Sequence, residues 1–194
     1  MKKVGITGQN GFIGYHLYHT LKLDEANFTL IDFERSFFEE EARLDAFVSS
    51  CDVIVHLAAL NRHNDPEEIY RMNTDLTQKL IAALERTGST PQVIISSSTQ
   101  EERDNFYGRS KKEAREALAA WASRSGGCFT GMIIPNVYGP FGHPYYNSVV
   151  ATFCHQVSHD EEPKIEVDGQ LKLIYVGELV AEIMNNINVS VDQA

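Results

Sequence analysis

The run Lys3-Val4-Gly5-Ile6-Thr7-Gly8-Gln9-Asn10-Gly11-Phe12-Ile13-Gly14 decides the architecture of this chain. Lys3–Ile6 reads as a short buried strand, and Ile13, Leu17 and Leu21 recur at helical spacing from Phe12 to about Leu23. Between the two lie Gly8, Gly11 and Gly14, spaced G-x-x-G-x-x-G. A strand, a glycine turn and a helix N-terminus in that order make a cradle for a dinucleotide pyrophosphate. The glycines allow a tight turn, a close approach of backbone to phosphate and close packing of helix on sheet, and the first helical amides face the anion. Asn10, Phe12 and Ile13 lie in the same turn and join the glycines as candidate cofactor contacts.

Beyond this unit the pattern alternates. Phe28–Ile31 reads as a strand, Phe38–Val48 as a helix and Val53–Leu57 as a buried strand. A long amphipathic helix opened by Pro66 carries Ile69, Met72, Leu76, Leu80 and Leu84. Val93–Ile95, Tyr107–Ser123 and Gly131–Ile134 follow as strand, helix and strand. Such alternation predicts an α/β fold, a Rossmann-type doubly wound parallel sheet with helices on both faces. The character changes after Ile134. Pro135–Ser148, rich in Pro, Gly, Tyr and Asn, reads as an irregular binding loop, followed by a helix over Ser148–Ser158. Lys164–Val167 and Leu171–Tyr175 flank Asp168-Gly169 as an expected hairpin, and a helix closes the chain from Gly177 to Ile187. We therefore expect a dinucleotide-binding portion over 1–134 and a short substrate-binding portion, truncated or minimal, over 135–194.

Composition narrows the classes. With 17 Lys and Arg against 27 Asp and Glu, the formal charge is −10, which argues against nonspecific nucleic-acid binding. No apolar run approaches the length of a membrane span, and no secretory segment precedes the first strand, so no membrane partner is expected. Cys51, Cys128 and Cys154 are odd in number and scattered, which suggests reduced thiols in a cytoplasmic protein, with neither a disulfide framework nor a metal site. His155 and His159 beside Cys154 read as a half-exposed helix face.

Asp32, at the end of the second strand, can accept from both adenosine-ribose hydroxyls, whereas nearby Arg35 can accommodate a 2′-phosphate. The residues lean to NAD but leave NAD and NADP both open. Tyr107 and Lys111 stand one helical turn apart, after Ser96-Ser97-Ser98 at a strand end. A free phenol, pKa about 10, is a poor proton donor or acceptor near neutrality, and a neighbouring ammonium favours phenolate. This pattern assigns Tyr107 as acid, Lys111 as its tuner and Ser98 as the group that orients a substrate carbonyl. The same spacing at Tyr18–Lys22 lies inside the glycine-loop helix, with no serine-bearing strand before it, and reads as coincidence. Tyr138, Tyr145 and Tyr146 are equally readable as stacking groups for a sugar or base and as loop packing, with Asn147 a hydrogen-bonder on the same terms.

Together, Thr7–Gly14, Asp52–Ala59, Asn73, Ser96–Ser98, Tyr107–Lys111, Asn136–Pro140 and Tyr175–Val176 resemble the extended short-chain dehydrogenase/reductases of the NAD-dependent epimerase/dehydratase family. The resemblance implies that His56, Leu57, Ala58, Asn73 and Pro135 serve the cofactor, NAD or NADP, and that Asn136, Tyr146 and Asn147 serve a sugar-nucleotide substrate. It also implies a homodimer through a four-helix bundle formed by the helices near Pro66–Thr87 and Tyr107–Ser123. The stretch VIISSSTQ, the motif NFYGRSKKEA and the segment Tyr145–Phe153 are most similar to the reductase domains of bifunctional bacterial capsular-polysaccharide enzymes, in which a C-terminal cupin domain follows. That likeness implies reduction of a UDP-linked 4-keto-6-deoxy-N-acetyl sugar by NAD(P)H. Three departures stand against it. Only residues 99–106 separate Ser98 from Tyr107; Ile133 stands where many relatives have Arg and Gly177-Glu178 where they have paired acids; and no cupin follows the last helix in this sequence. The rival readings are an epimerase or dehydratase that recycles bound NAD, with Thr99, Gln100, Glu101 or Glu102 as acid and base, and a non-catalytic NAD(P)-binding sensor.

Overall fold

In the computed structural model, which describes residues 1–165 and 168–188, the chain runs β1 (Lys2–Thr7), α1 (Phe12–Lys22), β2 (Phe28–Ile31), α2 (Glu41–Ser50), β3 (Val53–His56), α3 (Pro66–Thr87) and β4 (Gln92–Ser98). It continues through α4 (Phe106–Ser125), β5 (Phe129–Ile134), β6 (Asn136–Tyr138), α5 (Val149–Ser158), β7 (Leu173–Tyr175) and α6 (Val176–Asn188). Five strands form a parallel sheet in the order β2-β1-β3-β4-β5, the doubly wound α/β arrangement expected.

Strand pleating explains the apolar runs. Ile54, Val93 and Ile95 point to one face, where they meet Leu44, Phe47, Leu80, Leu84, Leu118 and Trp121 of α2, α3 and α4. Val53, Val55 and Ile94 point to the other, against Leu17 and Leu21 of α1 and Leu179, Val180 and Ile183 of α6. A strand covered by helices on both faces has no polar side to show, so β3 is buried throughout. Asp65 caps α3 by accepting from the Glu67 amide at 3.0 Å, and Pro66 occupies its first turn as expected.

Three expectations change. The segment read as one helix over Phe38–Val48 is a 3-10 turn, Arg35–Glu39, followed by α2, because the turn seats Phe38 in the core beside Phe33. Pro135–Ser148 is not wholly irregular, since Asn136–Tyr138 forms β6. The anticipated hairpin is replaced by a long-range pair: Leu173–Tyr175 runs parallel to Asn136–Tyr138, while Lys164 and Ile165 are not in a strand and Glu166–Val167 lie outside the described residues. The closing helix α6 shares a core with β1 and α1. Residues 189–194 lie outside the described residues.

Candidate active site

The C-terminal ends of β1, β3, β4 and β5 open onto a cleft of about 1660 Å³. Gly8–Gly14 form one wall. Gly11 starts α1 with no side-chain cap, which leaves the first helical amides facing the cleft. A Cβ on Gly14 would sit 2.2 Å from the Gly8 carbonyl oxygen, so α1 lies directly against its loop only because no side chain intervenes. Gln9 fastens the loop by donating to the Phe33 carbonyl at 3.0 Å. An uncapped helix start behind a side-chain-free cradle fits a dinucleotide pyrophosphate.

The opposite wall carries the chemistry. Ser98, Tyr107 and Lys111 all line the cleft. Asn105 caps α4 by accepting from the Gly108 amide at 2.7 Å, which fixes the first turn that holds Tyr107. Burial pushes the Tyr107 phenol above its ordinary range, with the Ser98 hydroxyl pulling it partly back. Burial is the larger of these two effects, and Lys111 contributes no lowering beside them. Lys111 is nearly fully buried and donates to Ser96 Oγ at 3.5 Å. Its ammonium is pushed down to about 8 by burial, with the Glu101 carboxylate resisting.

Arg35, Leu57, Ala58, Pro135, Asn136, Tyr146 and Asn147 join the same cleft. Asp32, His56 and Asn73 are not among the residues that line this cleft. Asp32 is exposed at the end of β2 and outside the lining. His56 is buried behind the wall, its Nδ1 2.7 Å from Thr7 Oγ1 and its Nε2 3.4 Å from Thr77 Oγ1, and burial drives its pKa down to about 3, helped by the Lys111 charge. Asn73 is buried too: its Oδ1 accepts from the Leu60 amide at 2.6 Å, and its Nδ2 donates to the Leu60 carbonyl and to Ser110 Oγ at 3.0 Å. Ser110 in turn donates to the Tyr107 carbonyl at 2.8 Å, so Asn73 ties the loop after β3 to the turn that carries Tyr107.

A family model described as the NAD dependent epimerase/dehydratase family matches residues 4–184. The chain belongs to this family. It is 35% identical over 183 residues to the UDP-2-acetamido-2,6-beta-L-arabino-hexul-4-ose reductase of Pseudomonas aeruginosa, covering 94% of this chain and 48% of that protein. Its structure matches the capsular polysaccharide assembling protein CapF of Staphylococcus aureus with a TM-score of 0.81 and 31% identity, over 98% of this chain and 51% of that one. RMD of Pseudomonas aeruginosa, solved with NADPH, matches with a TM-score of 0.81 at 19% identity over 95% of this chain and 73% of that one, a likeness of fold. The chain spans about half the length of the reductase and of CapF.

Within this epimerase/dehydratase fold, two features escaped sequence reasoning. No Asp or Glu lines the cleft among the described residues, although Arg35, Arg62, Lys111 and Lys164 do. A chain of net charge −10 thus keeps a cleft suited to anions. Sequence order alone cannot show this, because it depends on which way the carboxylates turn. Glu101 is the telling case. Its largely buried carboxylate pairs with Arg115 at 2.7 Å and accepts from Ser97 Oγ, which removes it from the cleft. Burial raises the Glu101 pKa, but the bonds to Arg115 and Ser97 outweigh it and hold the carboxyl below its ordinary value. The second feature is Gly108, whose Cβ would lie 2.0 Å from the Gln100 carbonyl oxygen. This contact lets α4 press against the 3-10 turn Thr99–Glu102 that follows Ser98, and so brings Tyr107 to the serine with only eight residues between.

Among the described residues no helix is long and apolar enough to cross a membrane, and no three His, Cys, Asp or Glu side chains are placed to hold a metal ion.

Proposed function

We propose that this chain is an NAD(P)H-dependent reductase of a keto sugar nucleotide, such as a UDP-linked 4-keto-6-deoxy-N-acetylhexose, in the synthesis of a bacterial surface polysaccharide. The observation that carries the proposal is the meeting of Ser98, Tyr107 and Lys111 in a cleft that no carboxylate lines among the described residues. Reduction needs a proton donor at the carbonyl oxygen and no base at the sugar carbons, whereas elimination of water needs an acid and a base. Glu101 is held by Arg115 and Ser97, and Glu102 is exposed outside the lining, so neither is placed as that base. The relatives that act in reduction and in capsule assembly agree with this choice.

In this mechanism the amides at the start of α1 and the glycine loop bind the dinucleotide pyrophosphate, and Arg35 meets a 2′-phosphate. Arg35 lines the cleft and supports NADPH, while Asp32, exposed at the end of β2, keeps NADH open. The bound reduced nicotinamide supplies a hydride. Tyr107 delivers a proton to the carbonyl oxygen, Ser98 donates to the same oxygen and keeps it in line, and Lys111 stabilises the phenolate left behind. Asn136, Tyr146 and Asn147 face the sugar nucleotide from the far side. The same reading includes a homodimer in which α3 and α4, which pack side by side, form a four-helix bundle with their copies; its sedimentation should be that of two chains.

The test is oxidation of NADPH and of NADH by the UDP-linked 4-keto-6-deoxy-N-acetylhexose. Tyr107→Phe should lower turnover by roughly 10²- to 10⁴-fold while leaving NADPH binding intact. Turnover without net NAD(P)H consumption would instead identify a recycling epimerase, and an unchanged Tyr107→Phe variant would remove the phenol from the mechanism.

A further inference from the structure

The arginines of this acidic chain divide into two groups. Arg43, Arg71, Arg86, Arg115 and Arg124 each pair with a carboxylate. Arg35, Arg62, Arg103 and Arg109 have no carboxylate partner among the described residues, and of these four Arg35 and Arg62 line the cleft. Arg35 follows β2, at the sheet edge where the adenosine of a dinucleotide lies in a doubly wound fold. Arg62 follows β3, on the side of the sheet that carries Ser98 and Tyr107. One arginine is placed for the cofactor. The other is free to meet a different anion.

The surroundings of Arg62 are neutral and specific. Its Nε donates to Asn147 Oδ1 at 2.8 Å, one Nη reaches the Tyr145 carbonyl at 3.4 Å, and its guanidinium stacks over the Tyr146 ring, 5.2 Å from the centroid. These contacts bridge residues 85 apart and join the loop after β3 to the loop after β6. Arg62, Tyr145, Tyr146 and Asn147 line the same cleft as Ser98, Tyr107 and Lys111. The loop that Arg62 grips is held in an unusual shape, with Tyr145 at a φ of 58° and its amide donating to Thr152 Oγ1 at 2.8 Å. A guanidinium has five N–H groups in a planar fork, and amide and carbonyl acceptors engage only part of it without neutralising its charge. An arginine held in place by neutral partners, with one edge of its fork still facing a cleft, is prepared for a bidentate phosphate.

We propose that Arg62 binds the diphosphate of the nucleoside-diphosphate sugar, with Tyr146 and Asn147 holding its guanidinium in position in the cleft that Ser98 and Tyr107 line. This rests on the reading of the chain as a sugar-nucleotide reductase and names the residue that recognises the substrate. Cofactor recognition stays with the glycine loop and Arg35, so Arg62 discriminates between the two nucleotides that share the cleft.

The experiment measures binding of UDP by calorimetry, binding of NADPH by its fluorescence, and KM for the keto sugar nucleotide, in the full chain and in Arg62→Ala and Arg62→Lys. Arg62→Ala should weaken UDP and raise that KM by roughly 10- to 100-fold, with NADPH affinity within about twofold of the parent. Arg62→Lys should recover only part of the loss, because an ammonium keeps the charge and lacks the fork. UDP affinity unchanged in Arg62→Ala, or equal losses of UDP and NADPH, would overturn the assignment. A parent chain that binds UDP but oxidises no NAD(P)H would defeat the reductase reading while the Arg62→Ala loss still upheld this one; a parent that does not bind UDP would overturn both.

Discussion

The two walls of the cleft are built by different means. On the β1–β5 side, the site residues hang from strand ends whose partners are buried on both faces, with Ile54, Leu80, Ile94 and Leu118 fully enclosed. On the side of residues 136–165, α5 has no buried residue, and Phe141, Tyr145 and Asp160 adopt positive φ. That wall is held by a three-residue strand pair and by polar contacts, among them His16 with the Pro140 carbonyl at 3.0 Å and Tyr145 with Glu161 at 2.8 Å. The contrast teaches a division of labour. Close packing fixes groups within a fraction of an ångström, as proton and hydride transfer require, while a wall made of exposed polar contacts costs less to rearrange.

The sharpest test of that contrast is a pair of truncations. Leu118→Ala should cost roughly 2–5 kcal/mol of unfolding free energy in urea, because it leaves a cavity in the packed face. If it proves mild, the first wall is not held by its core. Gly108→Ala comes next. Its methyl group has backbone on its far side, so about 1–3 kcal/mol of stability should be lost. Turnover should fall further than NADPH affinity does, since the displaced turn is the one between Ser98 and Tyr107.

Acid should act on the same wall through His56. Its pKa is depressed in the folded state, to about 3, so the unfolded chain binds the extra proton first as pH falls. Stability is therefore full above about 6.5 and is lost progressively between there and about 3, at up to ~1.4 kcal/mol per pH unit. His56→Gln should flatten this part of a urea-midpoint profile; an unchanged slope would place the acid sensitivity elsewhere. The smallest effect is expected at Val157, 63% exposed on α5, where Val157→Ala should stay within about 0.5 kcal/mol. A larger loss would mean that something packs on that helix and that the second wall is less open than it looks.

Much of this organisation is local in origin and could be read from order alone. The strand periodicity of Val53–Val55 and Val93–Ile95, the helical spacing of Leu76, Leu80 and Leu84, the glycine turn and the Ser98–Tyr107–Lys111 order each express preferences that act over a few residues. Apolar runs too short to span a membrane, bounded by turns, have few ways to bury both faces, and a parallel sheet is one of them. What the tertiary structure alone decided lies in contacts between distant segments. Nothing within Asn136–Tyr138 or Leu173–Tyr175 announces their parallel pairing, because each is three residues long and its partner is over thirty residues away. The same holds for the reach of Arg62 to Asn147, for Glu101 turning to Arg115 instead of the cleft, and for Asn73 and His56 bracing the wall from behind. Sequence states which charges and hydroxyls the chain owns; the direction each one faces is set by the packing around it, where burial removes water and leaves a polar group only the partners within reach.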